Sequence, residues 1–338
     1  FDLNGDLTES TVVFNPLTYF KNFGTKAQIN SKFSIDSAGW LSKILFDYQA
    51  DDSAHLKGDV FLKGHGLSLN IEKGKTVDSD FKGTIEYYEK EFFKASISGS
   101  KLNISGLKDF PLLKNAQPDP KPELKMTPIG GNNLAEIYLD VHLDSLTIKE
   151  NAPLKQVALQ AYRNGSLWQN LFFFARGREP VSINYTPKDG RLDALANDVG
   201  DLLNRLGFSD QFEKGEAKIK GRVLQNGGFA GNMELKNIKL KEPGFVMQAV
   251  TILGIWDAIQ GNDLSFSNGE AAFELSPNFT LFVKDGVTYG TVLGITFSGR
   301  AALSSLELSG SVIPAYIINS LPGRIPVIGH LFKDGKGG

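Results

Sequence analysis

Alternation constrains this chain more than any other feature. In "AEIYLDVHLDSLTIK", Ile137, Leu139, Val141 and Leu143 fall on one side of an extended strand, and Tyr138, Asp140, His142 and Asp144 on the other. "GLSLNIEK" repeats the pattern through Leu67, Leu69 and Ile71, and "GEAKIKGRV" through Ala217, Ile219 and Val223. A sheet of such strands has one apolar and one wet face, which indicates antiparallel pairing. Most strands are not separated by helical patterns, which argues against a doubly wound fold. The chain has 24 phenylalanines but only three tryptophans and three methionines, with 36 glycines, as many short strands and frequent turns would produce.

A weak internal motif, apolar–x–Gly–x–apolar, accompanies the alternation. It occurs as Leu56-Gly58-Val60, Phe81-Gly83-Ile85, Ile219-Gly221-Val223, Phe229-Gly231-Met233, Phe297-Gly299-Ala301 and Leu308-Gly310-Val312. Period 2 puts each glycine on the side of its apolar neighbours. The simpler reading is that these glycines let a sheet bend or bulge; the sharper one is that they leave room on a concave apolar wall.

Three segments read as helices. The first spans about 198–206, capped by Asn197 or Asp198, with Val199, Leu202, Leu203 and Leu206 as its stripe and Gly207 after it. The second, about 245–260, is apolar nearly all round, so it must be buried or face lipid. The third, 314–321, has proline at its first position and "PG" as its stop. It lies in "SVIPAYIINSLPGRIPVIGHLF", Ser311 to Phe332, a greasy stretch broken by Pro314, Pro322 and Pro326. Nothing in the chain reaches the ~18 uninterrupted apolar residues of a membrane span. "NAQPDPKPELKMTPIGGNN", residues 115–133, reads as a proline-rich linker or loop. The expected division is a β-sheet segment at 1–114, this linker, and a β region with the helices at 134–338.

The 338 residues are 41% hydrophobic and 22% charged with a net charge of −2, so no basic excess points to nucleic acid. Without cysteine there are no disulfides, thiolate metal sites or cysteine nucleophiles. Asp140, His142 and Asp144 share a strand face and suit a metal or acid–base set, but the simpler reading is the solvated face of an amphipathic strand. His55, His65 and His330 have no partners at ligand spacing, and "DLNGD" at Asp2 to Asp6 lacks the remaining ligands of a calcium loop. No nucleophile elbow, zinc-helix motif or phosphate loop is present, so no catalytic residue, metal or cofactor is expected.

"GITFSGRAALSSLELSGSVIPAYIINSLPGRIPVIGHLF", Gly294 to Phe332, resembles the AsmA-like C-terminal domain in its YhdP-type branch. The resemblance is carried by Gly299, Leu306, Leu308, Gly310, Pro314, Ala315 and Tyr316, then by Asn319, Gly323, Ile325, Pro326 and Gly329. "NDVGDLLNRLGFSDQFEKGEAKIKGRV", Asn197 to Val223, is similar to the same branch, and the likeness runs over roughly 137–332. It ends just past Gly329, where family members continue, so it implies a piece of a longer protein truncated at its C-terminal end.

That resemblance implies a mainly β fold in which a long curved antiparallel sheet forms a hydrophobic, taco-like groove, with a few short helices near the C-terminal end. It implies an inner-membrane-anchored protein of the Gram-negative periplasm, similar to bridge-like lipid-transfer proteins, that carries phospholipids between inner and outer membrane. The groove lining would include Ile137, Leu139, Val141, Leu143, Ile219, Val223, Phe297 and Leu308. Contacts with a membrane or the groove's end would come from Phe245, Ile252, Ile255, Trp256, Tyr316, Ile317, Ile325, Val327 and Leu331. Expected partners are phospholipid acyl chains, the two membranes and envelope proteins. The rival readings are an assembly factor for outer-membrane biogenesis acting through sheet edges, and then a carbohydrate-binding sandwich.

Overall fold

The computed structural model describes residues 1–63, 66–88, 92–109, 136–241, 264–277, 280–290, 293–302 and 305–314. The helices expected at 245–260 and 314–321 and the proline-rich stretch 115–133 lie outside them, except Pro314, which ends a strand. So do all nine residues expected at a membrane or the groove's end. The chain is mainly β, with very few helices among the described residues, as the alternation predicts. Two compact units are distinguished, Phe1–Gly177 and Arg178–Gly338.

The first unit contains β1 (Asp2–Asp6), β2 (Val12–Phe14), β3 (Tyr19–Lys21), β4 (Ala27–Ile35), β5 (Leu41–Ala50) and β6 (His55–Lys63). It continues through β7 (Gly66–Lys75), β8 (Asp80–Tyr88), β9 (Phe92–Asn103), β10 (Glu136–Thr147), β11 (Leu154–Asn164) and β12 (Leu167–Arg176). β1 pairs with β4, and β4 to β9 follow one another as antiparallel neighbours. β10 joins β9 in parallel, Ile137 opposite Phe93 and Leu143 opposite Gly99, and β11 and β12 resume the antiparallel order. The parallel pair departs from the antiparallel expectation. A parallel neighbour needs a long return connection, and the chain between β9 and β10 includes the proline-rich stretch. Alternation cannot reveal this, because face parity is the same in either direction.

β2 and β3 form a separate ribbon at one end of this sheet. Tyr19 packs edge-on against Tyr48, ring centroids 5.9 Å apart, with Ala27 and Ala54 in the same buried cluster. The Tyr19 and Tyr48 hydroxyls are 2.8 Å apart, and Tyr19 donates to Asp52 at 2.9 Å. Burial, followed by these hydrogen bonds, raises the Tyr19 pKa well above its ordinary value. The fully buried Lys21 ammonium donates to the carbonyls of Ser10 at 2.7 Å and Asn22 at 2.9 Å, tying down the loop around it.

The second unit contains β13 (Pro180–Thr186), β14 (Arg191–Ala196), α1 (Val199–Arg205), β15 (Phe212–Val223), β16 (Phe229–Leu240), β17 (Ser265–Leu275), β18 (Leu281–Gly290), β19 (Leu293–Ala302) and β20 (Ser305–Pro314). Its strands pair in sequence order, all antiparallel. α1 matches the helix expected at 198–206. The Asp198 carboxylate caps it by accepting from the Asp201 amide at 3.0 Å, and Gly207, at φ +79°, ends it. Its most buried residues are Gly200 and Asp201 rather than the expected stripe. A Cβ on Gly200 would lie 2.6 Å from the Phe212 carbonyl oxygen, so the missing side chain lets the helix approach β15.

Candidate functional site

In the first unit the apolar sides of nine strands line up as cross-strand rows. One row runs Leu62, Leu67, Tyr87, Phe93, then Ile137, Arg163 and Trp168. The next runs from Phe33 through Ile44, Val60, Leu69, Ile85 and Ala95, and then Leu139, Ala161 and Leu171. A third holds Phe46, Gly58, Ile71, Gly83 and Ile97, followed by Val141, Leu159 and Phe173. A fourth holds Tyr48, Leu56, Gly74, Phe81 and Gly99, followed by Leu143 and Val157. The four β10 residues expected on one face therefore take one row each.

Burial changes steeply across these rows. In the fourth, Leu143 is 4% exposed and Val157 3%. In the first, Leu67 is 37% exposed, Phe93 37% and Tyr87 46%, whereas Ile137, Arg163 and Trp168 are buried. In the middle rows Leu69, Ile85, Leu139, Ile71, Ile97 and Val141 each keep part of their surface open although apolar neighbours flank them, while Ala95, Ala161 and Leu171 are buried. A second sheet packed on this face would bury them. The wall is thus most open at the Leu67 end of β7 to β9, and on β10 it is buried at both the Ile137 and the Leu143 ends.

Glycines shape it. A Cβ on Gly83 would stand 2.5 Å from the Ser96 carbonyl oxygen on β9. Cβ atoms on Gly58 and Gly99 would likewise strike backbone carbonyls, of Asn70 and Asp80. Register shifts occur beside Gly58 and Gly74. Among the two readings of the glycine motif, these contacts support bending, because the glycines admit a neighbouring strand.

The second unit has its own apolar side. Ile219 lies opposite Ala194 and Met233, and Val223 opposite Phe229. Phe297 lies opposite Gly286 and Gly310, and Leu308 opposite Gly299. A Cβ on Gly286 would meet the Phe297 ring at 2.5 Å. Ile219, Val223 and Phe297 are half-buried, like the middle of the first unit's wall. Thr288, 7% exposed and opposite Gly269 and Ile295, has a hydroxyl with no hydrogen-bond partner among the described residues.

The wet face carries the candidate acid–base residues. His142 Nε2 and Asp140 Oδ1 are 3.0 Å apart, and Gln160 donates to the same Asp140 oxygen at 3.4 Å. Tyr138, on that face, meets the Tyr162 ring edge-on. Among the described residues no three His, Asp or Glu side chains gather as a metal site. "DLNGD" is strand β1, with Asp6 accepting from the Thr8 amide. The most enclosed charge cluster is structural: Asp201 accepts from Arg205 Nε and from the Arg178 amide, both at 2.6 Å, beside the Asp198–Arg178 pair at 3.1 Å. Burial alone would raise the Asp201 pKa, but these bonds and charges outweigh it and hold it below the usual carboxylate range.

Arg163 went unnoticed in the sequence. It is 3% exposed and its guanidinium lies 5.4 Å from the centre of the Trp168 ring. Burial lowers its pKa from the ordinary arginine value. The signal was there: Val157, Leu159, Ala161 and Arg163 alternate along β11, opposite Leu143, Val141, Leu139 and Ile137. No helix among the described residues is long and apolar enough to cross a membrane. No family model, curated protein or solved structure matches this chain.

Proposed function

We propose that this chain is a segment of a bridge-like lipid-transfer protein of the AsmA-like family, carrying phospholipid acyl chains along its apolar walls between the inner and outer membranes of a Gram-negative envelope. The observation that carries the reading is the half-buried middle of the wall. Leu69, Ile85, Leu139 and Val141 are large, apolar and central to the sheet, yet partly open. Acyl chains would complete the burial, each methylene contributing ~0.8 kcal/mol. The work is transport rather than catalysis, so it needs no nucleophile, cofactor or metal. Periplasmic location and anchoring in the inner membrane outside this piece belong to the same proposal.

The test is photo-crosslinking in cells, with a photoreactive residue placed singly at Leu139, Val141, Asp140 or His142, and mass spectrometry of lipids that co-purify with the chain. Phospholipid adducts are expected at Leu139 and Val141 and not at Asp140 or His142. Equal adducts on both faces would reduce the result to nonspecific membrane contact. Protein adducts alone, with no co-purifying lipid, would replace transport by the assembly-factor reading.

A further inference from the structure

We infer that the β4–β5 hairpin, with Trp40 at its tip, rests in the headgroup region of a lipid bilayer, and that lipid passes there between the bilayer and the first unit's wall. This inference rests on the proposed lipid-carrying function.

The first support is the hairpin itself. Trp40 is 74% exposed, and Ile35 and Leu41, which face each other where the hairpin closes, are 47% and 39% exposed. The turn is held in one shape. The Asp36 carboxylate accepts from the amides of Ala38 and Trp40, both at 2.9 Å, and the Asp36 amide donates to the Trp40 carbonyl at 2.8 Å. Gly39 completes it with a φ of +86°. An indole on an ordered turn gives up little freedom when it is covered. It is also amphipathic, and such rings gather where hydrocarbon meets water.

The second support is position. The register puts this hairpin just past Leu62, at the end of the strands where Leu67, Tyr87 and Phe93 are open. Exposed apolar surface thus runs from the hairpin onto the wall, where Leu69 and Ile85 are partly open. A hydrocarbon chain moving between bilayer and wall stays against apolar surface at this end. The other end gives no such path. Val13 and Phe20, opposite each other on the β2–β3 ribbon, are 55% and 56% exposed. The fourth row beside that ribbon is buried at Tyr48, Phe81 and Leu143. A folded protein seated on the β4–β5 hairpin would cover the opening and cut the wall off from its lipid.

Charge sets the kind of bilayer contact. The Asp36 carboxylate is occupied by its turn, and Lys94 is paired with Glu136 at 3.3 Å. Lys43 lies over the Phe61 ring, 4.2 Å from its centre. The contact is therefore apolar and aromatic, and it needs no anionic lipid.

The test uses the whole chain and vesicles of phosphatidylcholine alone. Flotation should show the chain bound, and the emission of wild type minus that of Trp40→Phe should shift to the blue. Trp40→Ser combined with Leu41→Ser should weaken binding about tenfold, the scale of one large apolar side chain left in water, and Phe20→Ser less than about twofold. All three positions are exposed, so melting temperatures should match wild type and rule out a folding defect. Absence of vesicle binding, unweakened binding in the hairpin variant, or equal weakening by Phe20→Ser overturns the assignment. Binding that requires phosphatidylglycerol and is released by salt overturns the apolar contact. A photoreactive residue at Trp40 that captures protein and no lipid in cells gives the hairpin to a protein partner and overturns the bilayer.

Passage is read by uptake from vesicles carrying a self-quenched fluorescent phosphatidylcholine, whose removal raises the emission. The hairpin variant should take up lipid about tenfold more slowly, in step with its weaker binding, and reach the same final load. Equal rates overturn the hairpin's role while leaving transport intact. Vesicle binding through Trp40 with no uptake by any version leaves the bilayer contact standing but overturns the passage and, with it, the lipid-carrying function.

Discussion

Gly83 is glycine for space, and Gly83→Ala tests that. Its φ is not among the positive values, so alanine meets no backbone strain there. The added Cβ would sit 2.5 Å from the Ser96 carbonyl oxygen and 3.1 Å from both Ile97 Cα and Ile97 Cγ1. Ordinary contact begins near 3.4 Å, so β8 and β9 must part locally by about 0.9 Å, the difference between 3.4 and 2.5. A backbone hydrogen bond near 2.9 Å would stretch to about 3.8 Å, beyond useful range. Losing one or two such bonds, at about 1 kcal/mol each, agrees with the roughly 1–3 kcal/mol typical of overpacking. In a unit of this size that lowers the melting temperature by about 4–8 °C for 2 kcal/mol. Thr84→Ser, one residue along on the exposed face, is the control and should move it by less than about 2 °C. Thermal unfolding reads the shift, and hydrogen exchange should show faster amide exchange confined to β8 and β9. A Gly83→Ala protein that melts with wild type and exchanges like it would refute the account of these glycines as places where strands close in.

Other expectations follow from burial and charge. Leu143→Ala should cost about 2–5 kcal/mol and Leu67→Ala under about 1 kcal/mol, because only the former empties a closed site; equal losses by thermal melting would deny the open end of the wall. Thr288→Val removes a buried hydroxyl without a described partner, so it should hold or raise the melting temperature, and a fall beyond about 2 °C would mean the hydroxyl is satisfied. Asp201 has a folded pKa held below its unfolded value. Its stabilisation is therefore present above the unfolded carboxylate range near pH 4 and is lost as pH falls through the folded pKa. Melting temperature against pH should flatten on that acid limb in Asp201→Asn, which also loses roughly 3 kcal/mol at neutral pH by removing the buried carboxylate that Arg205 pairs with; an unchanged acid limb would clear Asp201 of that role.

Much of the wall was legible because period 2 is local. Ile137, Leu139, Val141 and Leu143 needed only their own spacing to be placed on one side. Asp198 and Gly207 bounded α1 for the same reason: a cap and a stop act on adjacent backbone. What was not legible depends on distant chain. The β9–β10 pair is parallel, and nothing in either strand's alternation says so. Gly200 and Asp201 are buried by β15 and by arginines at 178 and 205, partners that helical spacing alone does not name. Arg163 keeps the parity of Val157, Leu159 and Ala161 along β11, and it was missed because a charged residue at an apolar position reads as the end of the pattern.

Exposure was the least legible property, and it bears most on function. The sequence separates an apolar face from a wet one but cannot say whether a second layer covers the apolar one. In a sandwich, central rows are the driest and both strand ends fray alike. Here central residues such as Leu69, Leu139 and Val141 stay partly open, while Ile137 at 9% and Leu143 at 4%, toward the two ends of β10, are drier. Residue type does not explain the difference, since Leu139 and Leu143 are both leucines. Near Tyr48 the cover is the polypeptide itself, through Tyr19 packed with Ala27 and Ala54. A wall of this kind keeps unsatisfied apolar surface in its middle rows. Under the proposed lipid-carrying function, a flexible hydrocarbon chain suits such a surface, because each methylene laid along it buries further apolar area.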